Sequence, residues 1–152
     1  MVHVEIRRAS QEDAEIILHL QVHAYLSEAE IYNDYSIPPL IQSLKEIKQE
    51  FSHQVFLKAI EEGKIVGSVR AYVEKGTAYI GRLMVKPDSQ NKGIGTRLMQ
   101  AIEEHFRVVD RYELFTGHKS IRNLYLYQKL GYCEFKRMPV NDSIILVFLE
   151  KV

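Results

Sequence analysis

The segment that decides the fold reads LMVKPDSQNKGIGT and occupies residues 83–96. It begins in a stretch that is rich in β-branched and aromatic residues, 77–85, and then passes through a polar turn. After the turn, apolar residues recur at steps of four, at Ile94, Leu98, Ile102 and Phe106. β-Branched and aromatic residues favour a strand, and recurrence near every fourth residue indicates a helix. The segment therefore predicts a strand, a tight loop and a helix that opens directly from a glycine-containing turn.

The start of this helix has the features of an anion site. Gly93 and Gly95 remove side chains where the first turn begins, so several unpaired backbone N–H groups can face one concave spot at the positive end of the helix dipole. The charged residues nearby are Arg82, Lys86, Asp88, Lys92 and Arg97. Because only one of them is acidic, the surroundings attract anions as well. A phosphate-bearing cofactor is the expected ligand.

Two common phosphate-binding loops do not fit the segment. A P-loop needs Gly-Lys followed by Ser or Thr, whereas Gly95 is followed by Thr96 and Arg97. A dinucleotide fingerprint needs a third glycine where Leu98 stands, and it needs an early βαβ unit rather than the predicted antiparallel meander. Nucleoside triphosphates and the dinucleotides NAD and FAD are therefore disfavoured.

The rest of the chain extends this segment into an α/β domain of residues 1–152. Strands are predicted over residues 3–8, 54–60, 64–73, 77–85, 112–116, 132–137 and 143–150. Helices are predicted over residues 11–26, 38–51, 94–106 and 120–130, the first of them with a capping signature at Ser10 and Asp13. The order β-α-α-β-β-β-α-β-α-β-β predicts a mixed, mostly antiparallel central sheet flanked by helices.

Composition narrows the class of protein. The 152 residues are 46% hydrophobic, which suits one domain with its own core. Twenty Lys and Arg balance twenty Asp and Glu, which argues against nucleic acid as a partner. Cys133 is the only cysteine, and the longest apolar run, Ile144 to Leu149, is too short to span a membrane. Since residues 1–5 carry charge where a secretory signal needs an apolar run, the expected localisation is cytoplasmic.

Two motifs together resemble the GCN5-related N-acetyltransferase (GNAT) family. The first is Q-x-x-G-x-G at residues 90–95, which follows a strand ending in L-x-V at residues 83–85. The second is L-Y-Q-K-L-G-Y at residues 126–132. The predicted element order over nearly the whole chain agrees. The resemblance implies an acyl-CoA N-acyltransferase fold and an enzyme that moves the acetyl group of acetyl-CoA directly to a primary amine.

The resemblance also implies roles for individual residues. The loop from Gln90 to Thr96 is expected to bind the pyrophosphate of acetyl-CoA, and a backbone N–H near Leu83 or Met84 to stabilise the developing oxyanion. Tyr127 is expected to protonate the leaving thiolate, because an ordinary tyrosine pKa of ~10 keeps its hydroxyl protonated at neutral pH. The expected cofactor-binding residues are Leu83, Met84, Val85, Gln90, Asn91, Lys92, Gly93, Ile94, Gly95, Thr96, Ser120 and Asn123.

Two residues compete for the contact to the pantetheine arm. Asn123 lies one helical turn before Tyr127 and can share its face, whereas Ser120 stands where the family often has an asparagine. The sequence leaves both open. Helical rotation places Tyr125 about 200° away from Tyr127, so only one of these tyrosines can face the cleft, and Tyr127 is predicted to be that one.

The sequence says less about the amine acceptor than about the cofactor. Residues 28–39 contain three acids, two tyrosines and no base, which predicts a small cationic acceptor bound by charge pairing and aromatic contact. The candidate general bases are Glu28, Glu30, Asp34 and His118, or a water chain that such groups hold. The candidate acceptor-binding residues also include Tyr32 and Tyr35. The alternatives are a polar linker with docked tyrosines, an enzyme that acts on protein amines, and a non-catalytic acyl-CoA-binding regulatory domain.

Three further expectations concern the rest of the chain. The histidines show no spacing that demands a metal. Cys133 could carry an acetyl-enzyme intermediate. Because it directly follows Gly131 and Tyr132, however, its thiol is expected to face the core. The apolar closing strands could supply a homodimer interface.

Overall fold

The computed structural model describes residues 3–152, so Met1 and Val2 of the charged N-terminus lie outside the described residues. Seven strands form one sheet: β1 (Val4–Arg8), β2 (Val55–Glu61), β3 (Lys64–Glu74), β4 (Thr77–Val85), β5 (Arg111–Gly117), β6 (Cys133–Pro139) and β7 (Ile145–Lys151). The α-helices are α1 (Ala14–Tyr32), α2 (Pro38–Ile41), α3 (Leu44–Glu50), α4 (Ile94–His105) and α5 (Ile121–Lys129). The predicted mixed sheet with flanking helices is confirmed.

The strands lie in the order β1-β2-β3-β4-β5-β7-β6, and only β4 and β5 run parallel. Two tight turns set the register of the meander β2-β3-β4. Glu62 and Gly63 have φ of 52° and 77°, and Lys75 and Gly76 have φ of 49° and 79°. Positive φ at both central residues matches the twist of a two-residue hairpin, which is why glycine stands second in each turn.

Helices cover the two faces of the sheet separately. Phe56 and Leu57 are neighbours on β2 and point to opposite faces. Phe56 packs in a cluster with residues of α1 and α3, and Leu57 packs in a second cluster with the buried face of α4. Burying each large apolar side chain contributes about 1.5–3 kcal/mol, so the two clusters hold the helices against the sheet.

The first helix is longer than predicted. It is preceded by a short 3-10 turn, and the Ser10 amide donates to Asp13 Oδ2 over 2.9 Å, which confirms the predicted capping signature. The helix ends only at Asn33, which has φ of 51°. It continues because Ala29 and Tyr32 are buried and extend its apolar face.

Two corrections follow for the region after α1. Glu28, Glu30 and Tyr32 lie in the last turns of the helix and not in a linker. The predicted second helix is two helices, because Ser43 starts a new one: the Glu46 amide donates to Ser43 Oγ over 3.1 Å, and the Ser43 amide donates to Glu46 Oε1 over 2.8 Å. This Ser-x-x-Glu capping box stands in the sequence and could have been found there.

The last correction concerns Cys133, which is exposed and does not face the core. Tyr132, the residue before β6, is buried, whereas all seven residues of the edge strand β6, which begins at Cys133, are exposed. A homodimer through the closing strands stays a prediction. Among residues 3–152, no helix has the length and apolar character needed to cross a membrane.

Candidate active site

A cleft opens where β4 and β5 separate. The parallel ladder between them pairs only Thr77 with Arg111, Ala78 with Tyr112 and Tyr79 with Glu113. Beyond Tyr79 the two strands diverge, and their facing backbone groups do not pair with each other. This divergence leaves room for a ligand to cross the sheet.

A bulge on β4 reshapes one wall of the cleft. Ser68 pairs with Met84 and Arg70 pairs with Gly81, so Arg82 and Leu83 together oppose a single residue of β3. Arg82 has φ of 51°, a conformation that costs a non-glycine residue about 1–3 kcal/mol. The Tyr25 hydroxyl on α1 donates to the Leu83 carbonyl over 3.3 Å and fixes the bulge. The bulge takes backbone groups of Arg82 and Leu83 out of the regular ladder.

The turn before α4 presents unpaired amides, as the sequence predicts. Asn91 and Gly93 both have positive φ, 63° and 79°, and reverse the chain into the helix. Gly93 is the N-cap and supplies no side-chain acceptor, so the first-turn amides of residues 94–96 have no cap. Residues 93–96 line a cavity of about 590 Å³ together with Leu83, Met84 and Val85.

The predicted polar residues of this turn have their own partners. The side chain of Gln90 donates to the Val85 carbonyl over 3.0 Å and accepts from Arg122 over 2.7 Å. Arg122 also donates to Asn91 Oδ1 over 3.2 Å, so α5 holds the turn from outside. The Lys92 ammonium lies 3.7 Å from Glu61 and does not line the cavity. These contacts indicate that Gln90 and Asn91 shape the turn.

A second cavity, of about 630 Å³, adjoins the first. Its apolar lining includes Tyr72, Tyr79, Phe115 and Phe148, and its charged lining consists of Glu28, Glu50, Arg70, Arg82 and Glu113. The two cavities have five lining residues in common: Tyr25, Glu28, Leu83, Ser120 and Asn123. The shared residues form the junction at which molecules bound in the two cavities would meet.

Hydrogen bonds hold the Glu28 carboxylate at this junction. Ser120 Oγ donates to Glu28 Oε2 over 2.6 Å, and Asn123 Nδ2 donates to Glu28 Oε1 over 3.1 Å. The Tyr32 hydroxyl lies 2.7 Å from Ser120 Oγ and accepts from the Lys119 amide over 2.9 Å. Ser120 and Asn123, the two candidates for the pantetheine contact, thus both donate to an acid of α1.

Tyr127 lines the larger cavity and is only 6% exposed. Burial, together with the neighbouring Tyr25 and Glu28, raises the pKa of Tyr127 well above its ordinary value. Within residues 3–152, no group accepts a hydrogen bond from its hydroxyl. Tyr125, by contrast, is 67% exposed at the smaller cavity, so the two tyrosines face different surroundings, as helical rotation predicts. A buried, protonated phenol with no acceptor in the described chain can donate to a bound ligand.

The remaining predicted residues line neither cavity. Glu30 and Tyr35 are exposed, and the pKa of Asp34 is lowered by hydrogen bonds from the hydroxyl and amide of Ser36. His118 Nδ1 accepts from the Ile145 amide over 3.0 Å. Within residues 3–152, no group of three or more His, Cys, Asp or Glu side chains could hold a metal ion.

Sequence reasoning missed most of the lining of the larger cavity, and two of the missed residues are Tyr25 and Arg82. Tyr25 gives no signal in the sequence, because its partner Leu83 lies 58 positions away. Arg82 stands out in the sequence only as part of the basic surroundings of the turn, since a bulge cannot be located from residue preferences alone.

Comparison with known proteins adds to this geometry. The family model described as Acetyltransferase (GNAT) family matches residues 15–132. The UPF0157 protein YqkA of Bacillus subtilis (strain 168) is 31% identical over 132 residues, which cover 86% of this chain and 37% of YqkA. The chain therefore spans little more than a third of that relative's length.

Solved structures share the fold at lower identity. The ribosomal-protein-S18-alanine N-acetyltransferase of Escherichia coli superposes with a TM-score of 0.80 at 18% identity, over 98% of this chain and 93% of that one. The PaiA N-acetyltransferase of Thermoplasma acidophilum, in complex with coenzyme A, gives a TM-score of 0.70 at 24% identity, over 98% of both chains. At these identities the likeness concerns the fold.

Proposed function

The chain belongs to the acetyltransferase (GNAT) family, and we propose that it moves the acetyl group of acetyl-CoA directly to a primary amine. The observation that carries the proposal is the junction at Glu28 between two cavities. Uncapped amides line the first cavity, and Tyr127 lines the second. The first suits a phosphate-bearing donor, and the second suits the acceptor.

The smaller cavity fits the diphosphate of acetyl-CoA. Three successive amides, of residues 94–96, stand at the positive end of the twelve-residue helix α4. The cavity is also lined by Lys119, Arg122 and Lys129, all basic. Leu83 and Val85 offer backbone groups along the side that a pantetheine arm would follow. When bound there, acetyl-CoA supplies an activated acetyl thioester.

Proton transfer falls to two side chains, Glu28 at the junction and Tyr127 in the larger cavity. An attacking amine must lose a proton, and among the four predicted bases Glu28 alone lines a cavity. Ser120 and Asn123 hold both of its oxygens, which orients the carboxylate. The Tyr127 hydroxyl holds a proton that it can donate to the leaving sulfur, since its raised pKa keeps it protonated.

Glu28→Gln tests the base. We expect kcat/KM near pH 7 to fall about tenfold, and the deficit to shrink toward pH 10, because an alkylamine then loses its proton in solution. Glu30→Gln is the matched control, since Glu30 lies two residues away on the same helix, is exposed and lines neither cavity. A pH-independent deficit, or an equal one in the control, would remove Glu28 from proton transfer.

The small cationic acceptor stays a prediction, and it is now supported by fewer residues. Of the three acids in residues 28–39, only Glu28 lines the acceptor cavity. A primary amine enters as an ammonium, which this carboxylate attracts. Release of free thiol from acetyl-CoA, measured across a panel of amines, tests the proposed activity. Coenzyme A binding with no release for any amine would favour the non-catalytic alternative.

A further inference from the structure

Arg82 has the clearest unmet hydrogen-bonding capacity in the acceptor cavity. Its side chain lines the cavity, and its Nε is buried with no hydrogen-bond partner among residues 3–152. Within the same residues, the Arg82 guanidinium also forms no ion pair with a carboxylate. A buried guanidinium donor without an acceptor is costly, so its position suggests a ligand that supplies one.

The other charges of the cavity are already matched. Arg70 Nη1 lies 3.2 Å from Glu50 Oε2, and Arg70 Nη2 donates to Gln21 Oε1. The Glu113 carboxylate lies 2.9 Å from Arg111. Glu28 accepts from Ser120 and Asn123 as described above. Away from the junction, Arg82 is therefore the charged residue of this cavity that has no partner of opposite charge among residues 3–152.

Arg82 also affects the titration of its neighbour Arg70. Burial and, to a smaller extent, the charge of Arg82 lower the pKa of Arg70 to about 10, although Glu50 opposes the shift. Two like charges that share a cavity repel each other. A bound anion beside Arg82 would offset this repulsion.

The cavity floor is aromatic. Tyr72 and Tyr79 stack with ring centroids 5.2 Å apart, and Phe115 and Phe148 lie 5.4 Å apart. All four line the same cavity as Arg82 and Glu28. Such a floor suits an apolar body and offers little to an extended polyamine.

We propose that the acceptor is a small amine with an apolar body and a carboxylate, of the class of the apolar amino acids. Its carboxylate pairs with the Arg82 guanidinium, and its ammonium faces Glu28. Tyr25 lies near both groups, since the charges of Arg82 and Glu28 both act on its hydroxyl. This inference rests on the proposed function and replaces the small cationic acceptor with a zwitterion that keeps the ammonium group.

The test compares acceptors that differ only in the carboxylate. L-phenylalanine, L-leucine and L-methionine are assayed against their carboxamides, with wild type, Arg82→Gln and Lys75→Gln. Lys75→Gln is the matched control, because Lys75 also has positive φ and is also basic but lies in an exposed turn. We expect wild type and the control to prefer the carboxylates by about tenfold or more in kcat/KM, and Arg82→Gln to lose that preference.

A binding measurement separates this inference from the activity. In the presence of saturating coenzyme A, 3-phenylpropionate should raise the melting temperature of wild type and Lys75→Gln, but not that of Arg82→Gln. Equal use of carboxamides and carboxylates, or stabilisation that survives in Arg82→Gln, would overturn the inference while leaving amine acetylation intact. Stabilisation by 3-phenylpropionate without thiol release from any amine would support the anion site and contradict the proposed function.

Discussion

Replacing Tyr127 by phenylalanine should lower kcat by about a hundredfold or more and leave the melting temperature of the unliganded protein unchanged. The hydroxyl lines the acceptor cavity and donates to no group within residues 3–152, so its removal breaks no hydrogen bond of the described chain. What is lost is the proton for the leaving sulfur. The affinity for acetyl-CoA should change little, because Tyr127 does not line the smaller cavity.

Tyr132→Phe is the control, and the opposite result is expected for it: a loss of stability with an unchanged kcat. The Tyr132 hydroxyl donates to Glu103 Oε2 over 2.8 Å in the core, so its removal should cost stability of about 1–3 kcal/mol. The folded enzyme should keep its kcat, since Tyr132 lines neither cavity. A normal rate in Tyr127→Phe would exclude Tyr127 as the proton donor. Equal losses of stability in both variants would indicate that Tyr127 is an ordinary core residue.

The second large effect is expected at the anion site. Thr96→Glu should raise the Kd for coenzyme A about a hundredfold relative to Thr96→Gln, measured by calorimetry at low salt. Thr96 lies in the first turn of α4 and lines the smaller cavity, so the added carboxylate would stand beside the bound diphosphate. Two like charges about 6 Å apart near a protein surface repel by about 2.8 kcal/mol, which is about a hundredfold in Kd.

The same substitution should not harm the unliganded protein. A carboxylate at a helix N-terminus interacts favourably with the helix dipole, by about 0.3–1 kcal/mol. The melting temperature of Thr96→Glu without ligand should therefore match or exceed that of Thr96→Gln, while its affinity for coenzyme A falls. Equal affinities in the two variants would mean that the diphosphate binds elsewhere.

The parts that could be predicted from sequence are those set by local chemistry. Strand β4 has the predicted bounds, Thr77–Val85, and α4 starts at the predicted Ile94, because strand propensity, glycine and helical spacing all act within a few residues. The Glu62-Gly63 and Lys75-Gly76 turns follow from residue preferences of the same range. The proposed anion site is of the same local kind, since it consists of the start of one helix.

The acceptor side could not be predicted, because contacts between distant residues build it. Glu28 meets Ser120 and Asn123 across 92 and 95 positions of the chain. These partners became visible only when α1 proved to continue to Tyr32. Arg82 reaches the acceptor cavity from a one-residue bulge, which shifts the alternation of β4 at that point. Neither long-range pairing nor a bulge leaves a periodic signal in one sequence.

Hydrogen exchange at the start of α4 tests the central claim most directly. The amides of residues 94–96 have no cap in the protein alone and should exchange rapidly. Coenzyme A should slow their exchange strongly, whereas pantetheine, which lacks the diphosphate, should leave it unchanged. Amides that coenzyme A does not protect, or that pantetheine protects equally, would contradict the account of this turn as the diphosphate site.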